Sequence, residues 1–179
     1  MDTFAEQLVK KNLSSAEKFK RNMILAGSVI LGGIAVALSA VLSYYYLFTG
    51  IVICAALIAG GFWFSKNTEV EYEYSVTNGE LDIDKIIAKR KRKPLLSVNA
   101  ADFSAYGRYD EDTSETADDV TFILACDGSQ KGYWYADFKS GKYGKSRLIF
   151  SPDEKIRSCI KPYLSSDVKR QILKEGNND

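Results

Sequence analysis

From Asn22 to Ser65 the chain carries no charged residue, although charged residues make up 26% of its 179 positions. A water-soluble fold has no need of such a stretch, and a lipid bilayer does. The hydrocarbon core of a bilayer is about 30 Å thick and takes roughly 20 helical residues to cross. The whole stretch in one helix would run about 66 Å at 1.5 Å per residue, about twice that thickness. Two spans joined by a short turn fit. Backbone groups in lipid must bond within their own segment, so the spans are expected to be helices. Met23–Leu42 reads as the first and Leu47–Phe64 as the second. Ser43 and the three tyrosines Tyr44, Tyr45 and Tyr46 lie between them, as suits a membrane–water boundary, and Phe62, Trp63 and Phe64 mark the boundary on the return. A secretory signal peptide fits poorly, because the charged leader and the apolar part are both too long.

Small residues recur at helical spacing in both spans. Ser28, Gly32, Ala35 and Ser39 fall on one side of the first, and Ala56 (or Ala55), Ala59 and Gly60 on one side of the second. Such stripes let helices approach closely in lipid, either within the hairpin or between copies of the chain. Lys and Arg set orientation. Lys10, Lys11, Lys18, Lys20 and Arg21 precede the spans, Lys66 and later Lys85 follow them, and the turn has neither type. Both termini are therefore expected in the cytoplasm of a multi-pass protein of the cell membrane. Residues 1–22 form an amphipathic N-terminal segment. Phe4, Ala5, Leu8 and Leu13 can share one face of an interfacial helix, or the segment is a loosely ordered tail.

Residues 66–179 have the length of one compact domain and a nearly balanced charge, which argues against nucleic-acid binding. Their pattern is mostly β. Val70, Tyr72, Tyr74 and Val76 alternate with polar residues, and Asn78-Gly79 then predicts a tight hairpin into Leu81 and Ile83. Shorter strands are expected over 95–98, 103–109, 120–126, 133–138 and 147–150. Ser151, Pro152 and Glu154 read as the start of a helix whose apolar face is Ile156, Cys159, Ile160 and Tyr163. Pro162 should kink or end it, and Ser165 or Ser166 can start a second short helix through Leu173. The fold class expected is an α+β membrane protein: a transmembrane helical hairpin at residues 23–65, then six or seven antiparallel strands in a sandwich or barrel closed by a C-terminal helix.

This order resembles the bacterial pleckstrin-homology-like (PH-like) domains that follow a pair of transmembrane helices in small membrane proteins of Gram-positive bacteria. The likeness covers Glu69 to Leu164. It is carried by the strand order, the early hairpin, the basic segment after the second strand and the capped closing helix. The break at Pro162 departs from the single long helix usual in that fold. Members of the group are mostly uncharacterised, so the resemblance implies a non-catalytic scaffold more than an activity. It also implies that a basic early loop meets lipid headgroups.

The concentrated charge feature is Lys89-Arg90-Lys91-Arg92-Lys93. Successive strand side chains alternate faces, so five cations in a row belong to a strand end or loop. They are either a contact for anionic headgroups, at about 1 kcal/mol per residue beside an anionic leaflet, or a solvated loop that reinforces orientation. The acidic stretch Asp110–Asp119 lacks the ligand spacing and central glycine of a calcium loop. Gly144-Lys145-Ser146 is no phosphate loop, because Lys139 stands where the first glycine is required and a strand follows. The chain has no histidine, which removes the Ser-His-Asp and Cys-His catalytic sets and the common zinc sets. Neither a metal nor another cofactor is expected. Asp82 and Asp84 read as the outer face of a hairpin strand, and Tyr133, Trp134, Tyr135 and Phe138 as packing residues. Three functional readings compete. The first is a cytoplasmic binding or scaffold domain for lipid headgroups or a protein partner. The second is a self-assembling membrane protein whose hairpin drives homo-oligomerisation. The third, set lowest, is an enzyme.

Overall fold

In the computed structural model of the chain, the described residues are 3–109, 120–129 and 132–175. They fall into two units.

One unit is a helical hairpin, Leu13–Val70, together with Ile87–Lys89. Helix α1 spans Ser15–Leu42 and α2 spans Leu47–Lys66. A capping box starts α1: Ser14 Oγ accepts from Glu17 N–H at 3.3 Å, and the Glu17 carboxylate accepts from Ser14 N–H at 2.9 Å. Ser43 ends α1 with an extended backbone, its N–H bonded to the Ser39 carbonyl, and its side chain caps a 3-10 turn over Tyr44–Tyr46. The break between the helices therefore falls on the serine and three tyrosines that the sequence set aside. The apolar side chains of both helices point outward. Val29, Ile30, Leu31, Leu38, Val41, Phe48, Ile51, Val52 and Trp63 are all exposed, whereas the residues buried within the two helices are Gly32, Gly50, Gly61 and Ser65. A helix that is apolar around its surface and exposes that surface is of the kind that lipid or a protein partner covers. Each of the two is long and apolar enough to cross a membrane.

The other unit contains two four-stranded sheets. In the first, β1 (Phe4–Lys10), β2 (Val70–Thr77), β3 (Glu80–Ile87) and β4 (Lys91–Asn99) lie in that order. The N-terminal segment is thus neither an interfacial helix nor a loose tail over Phe4–Lys10, but an edge strand. It pairs antiparallel with β2, from Phe4 opposite Thr77 to Lys10 opposite Glu71. Ala5 and Val9 turn into the core while Phe4 and Leu8 stay exposed. Spaced as i and i+4 these residues mimic a helical face, and the partner that makes them a strand lies beyond both helices. The hairpin is therefore an insertion between two neighbouring strands.

The turn from β2 to β3 is the expected Asn78-Gly79, with φ of +49° and +87°. Both values are positive, as a type I′ turn requires. The Tyr163 ring packs so closely on Gly79 that a Cβ there would lie 2.4 Å from the ring's Cγ. Thr3 Oγ1 and the Tyr163 hydroxyl are 2.9 Å apart.

The second sheet has the order β5–β7–β8–β6, from Phe103–Arg108, Trp134–Ser140, Gly144–Phe150 and Thr121–Ala125 respectively. It is not wholly antiparallel, because β6 runs parallel to β8. Strands β7 and β8 form a tight hairpin, and the preceding strand adds to the far side of β8. The total of eight described strands is the seven that the sequence suggested plus β1. The acidic stretch Asp110–Asp119 and the chain end 176–179 lie outside the described residues.

Aromatic rings fill the core. Tyr74 meets Phe150 edge-on at 5.8 Å between centroids, and Tyr106 stacks with Phe103 at 6.1 Å and lies 5.2 Å from Trp134. The chain closes with α3 (Glu154–Ile160), a 3-10 turn over Lys161–Tyr163 and α4 (Ser166–Glu175). Asp153 rather than Ser151 caps α3, its carboxylate accepting from Ile156 N–H at 2.8 Å. Pro162 stops α3 as expected, because it has no N–H to continue the ladder. Ile156, Ile160, Leu164 and Val168 are buried, each worth roughly 2 kcal/mol of transfer free energy.

Two buried phenols differ in one respect. The Tyr74 hydroxyl donates to the Ala125 carbonyl and accepts from Ser151 N–H at 3.3 Å, tying β2 to the second sheet and to the entry of α3. The Tyr106 hydroxyl has no partner among the described residues. Burial pushes both phenols well above their ordinary value. Tyr74→Phe would leave a buried carbonyl and a part-buried N–H unpaired and should cost about 1–3 kcal/mol, whereas Tyr106→Phe removes an unsatisfied group and should leave stability unchanged or raised. Unfolding in detergent micelles checks this pair; equal losses would contradict it.

Candidate functional site: the basic turn

The basic run lies on the turn between β3 and β4 and on the first residues of β4. Ala88 and Lys89 both adopt positive φ, +53° and +56°. These angles normally call for Gly or Asn, and here Ala and Lys hold them at a steric cost. The turn is fixed within the helical unit by the Ala88 N–H, which donates to the Glu69 carbonyl at 2.8 Å. Glu69 lies just past the C-terminus of α2, and its own N–H bonds to the Lys66 carbonyl at 3.1 Å. Lys89 therefore stands at the foot of the hairpin. Because α1 and α2 are the two arms of one hairpin, Lys18, Lys20, Arg21 and Lys66 belong to that same end, and the tyrosine turn to the opposite one.

The five cations have different surroundings. Lys89, Arg90, Lys91 and Lys93 are exposed and form no ion pair among the described residues. Arg92 reaches across the sheet to Glu73 on β2 at 2.5 Å and lies 3.8 Å from Asp84 on β3. It serves as a strut for the outer sheet face. The sequence could not separate Arg92 from its neighbours, because its partners come from two other strands.

Glu73 has a second neighbour. Glu6 on β1 lies diagonal to it across the strand pair. The neighbouring Glu6 carboxyl, then partial burial, raises the Glu73 carboxyl above the usual range, and Arg92 opposes the rise. A folded-state value above the unfolded one stabilises at low pH, and this contribution is lost as pH rises through the raised value.

The small-residue stripe of α1 lies on the packed side of the hairpin, but the corresponding stripe of α2 does not. A Cβ on Gly32 would lie 2.7 Å from Cys54 Sγ. Those on Gly50 and Gly61 would each lie 2.4 Å from a serine Oγ, of Ser39 and Ser28 respectively. Ala35 is part-buried on the same side. Ala56 and Ala59 are exposed, and a Cβ on Gly60 would meet nothing within 4 Å. The packed face of α2 runs through Gly50, Cys54, Gly61 and Ser65. Of the two glycines that self-assembly would use, Gly32 is occupied within the hairpin and Gly60 is not.

The aromatic residues singled out in the sequence pack. The Tyr135 ring lies under the Arg147 guanidinium, which makes a two-pronged pair across β7 and β8 with Asp137 at 2.6 and 2.7 Å, neither residue having been singled out. Trp134 and Phe138 pack with Tyr106 and Phe103, and Arg157 covers Trp134 at 5.0 Å. Gly144 opens β8, so no helix follows it. Among the described residues no group of three acidic or cysteine side chains could hold a metal.

The sequence matches the Bacterial PH-like domain family, DUF6106, over residues 1–170. The chain belongs to that family. The matched region takes in β1 and both apolar helices as well as the two sheets. No curated protein and no solved structure matches the chain.

Two outcomes follow from this geometry. Gly50→Ile or Gly61→Ile should lower the melting temperature in micelles by several degrees, and Gly60→Ile should not; equal effects would contradict the assigned face. Glu6→Gln should stabilise the protein at pH 7 by about 0.5 kcal/mol, the scale of a cross-strand like-charge pair. That gain should shrink as pH falls toward 4 and Glu73 binds its proton. A pH-independent gain would show that Glu73 is not the cause.

Proposed function

We propose that this chain is a two-span integral membrane protein that presents its PH-like domain at the cytoplasmic leaflet and rests the β3–β4 turn on anionic phospholipid headgroups. The carrying observation is the hydrogen bond from Ala88 N–H to the Glu69 carbonyl, which holds the basic turn at the foot of the apolar hairpin. The outward apolar surface of α1 and α2 supports insertion. The pairing of β1 with β2 supports an even number of crossings, because strands on opposite sides of a bilayer cannot bond. Lys18, Lys20, Arg21 and Lys66 beside the basic turn, with no cation at the tyrosine turn, favour the cytoplasm for that side.

Four free cations at about 1 kcal/mol each would add about 4 kcal/mol beside an anionic leaflet. Two inserted helices already hold the protein in place, so the turn orients the domain rather than anchoring it. Arg92 is left out of the contact because Glu73 and Asp84 hold it. We read the domain as a binding module rather than an enzyme. Its family is PH-like, and its buried charged pair and the Tyr74 hydroxyl are engaged in structure.

The test is amide hydrogen exchange of the full chain in nanodiscs of neutral or phosphatidylserine-containing lipid. Residues 88–93 should exchange several-fold more slowly over the anionic lipid at low salt. The protection should vanish at high salt, and in the variant with Lys89, Arg90, Lys91 and Lys93 replaced by Gln. Identical exchange on the two lipids would overturn the reading.

A further inference from the structure

Among the described residues, strand β1 is paired along one edge only. The Thr3 carbonyl accepts from Asn78 N–H at 3.0 Å, which points the odd-numbered backbone groups of this segment at β2. Alternation turns those of Phe4, Glu6 and Leu8 to the open edge. At the far end Asn12 N–H, of the same parity, meets the Asp127 carbonyl at 2.6 Å, so the open stretch is bounded.

Helix α3 runs beside this edge, and Gln7 fixes its entry. Gln7 Nε2 donates to the Ser151 carbonyl at 3.0 Å, and Gln7 Oε1 accepts from Asp153 N–H at 2.8 Å. Strand and helix thereby become two walls of an open groove of about 650 Å³. Phe4, Ala5 and Glu6 line it on one side, and Glu154, Ser158 and Cys159 on the other. Among the described residues nothing pairs with the outward backbone groups of the strand wall, and the helix wall carries Ser158 and Cys159 between the longer Glu154 and Lys155. Such an edge takes an extended chain as an added strand, with backbone bonds giving affinity and alternate side chains giving specificity.

Charge selects the occupant. Glu6 and Glu154 face the groove from opposite walls, with Lys155 also at its lining. Glu6 already lies diagonal to a second carboxyl, that of Glu73. A cation beside Glu6 offsets the negative charge of the pair and an acid adds to it. A second copy of β1, paired antiparallel about a two-fold axis near Glu6, would bring another Glu6 close and is disfavoured.

We propose that the groove between β1 and α3 binds an extended segment of a partner protein, with basic and apolar side chains alternating, as a fifth strand of the first sheet.

The test uses the full chain in neutral-lipid nanodiscs, so that lipid charge cannot recruit the probe. The probes are the labelled peptides Lys-Val-Lys-Val-Lys and Glu-Val-Glu-Val-Glu, both blocked at their ends. Fluorescence anisotropy should show the basic peptide binding at least tenfold more tightly than the acidic one. Amide exchange at Phe4, Glu6 and Leu8 should slow at least tenfold on binding. The double variant Glu6→Gln, Glu154→Gln should weaken binding at least tenfold. Ser158→Trp, a change on the exposed side of α3 that fills the groove, should abolish it. The proposal is overturned if the basic peptide does not bind, if Ser158→Trp binds it equally, or if protection appears away from β1. Protection of β1 that rises with protein concentration alone would overturn it in favour of a second copy.

Discussion

The pairing of β1 with β2 is the constraint on which the rest of this molecule depends. Between these neighbouring strands the chain leaves the domain, runs the length of one apolar helix, turns on three tyrosines and returns along another. Both ends of the excursion are fastened into one sheet by seven register positions, from Phe4 opposite Thr77 to Lys10 opposite Glu71. Closing such a long loop costs chain entropy that grows only slowly with its length. The self-associating hairpin removes much of that loop's freedom beforehand. The PH-like body is therefore discontinuous in sequence, and a fragment beginning after the second helix would lack an edge strand and expose β2.

That discontinuity explains what the sequence reveals and what it hides. Features written in adjacent residues are legible. Ser43 and Tyr44–Tyr46 divide the apolar stretch, Asn78-Gly79 makes the hairpin, and Pro162 stops α3. Features that need a distant partner are not. Phe4, Ala5, Leu8 and Leu13 look like one helical face until β2 is beside Phe4–Lys10. Arg92 looks like one more lysine-run cation until Glu73 and Asp84 meet it. The parallel pairing of β6 with β8 has no local signature, because β7 lies between them in sequence and not in space. In α2 two small-residue faces compete, and the rotation set by the turn at Ser43–Tyr46 buries Gly50 and Gly61 rather than Ala56 and Ala59. Of the candidate site, the position and exposure of the basic run were readable. Its attachment to Glu69 was not, since that bond is made by the backbone of Ala88, a residue with no turn preference.

Charge is distributed along the molecule with a division of labour. Paired charges stiffen the sheets, as in Arg92 with Glu73 and Asp137 with Arg147. Free cations gather on the turn between β3 and β4. Acidic groups gather instead on the outer face of the first sheet, where Glu6 on β1 lies diagonal to Glu73 on β2. A domain held by two helices has no need of strong membrane affinity of its own.

The most direct test of this account is disulfide trapping of β1 against β2 in native membranes. With the natural cysteines replaced, Glu6→Cys and Ser75→Cys stand opposite one another in the register, within reach of a cross-strand bridge. The account predicts an intramolecular disulfide in full-length, membrane-inserted protein, and none when the second cysteine is placed at Asp82 on β3. Failure of the 6–75 pair to close, or closure only between separate chains, would contradict it.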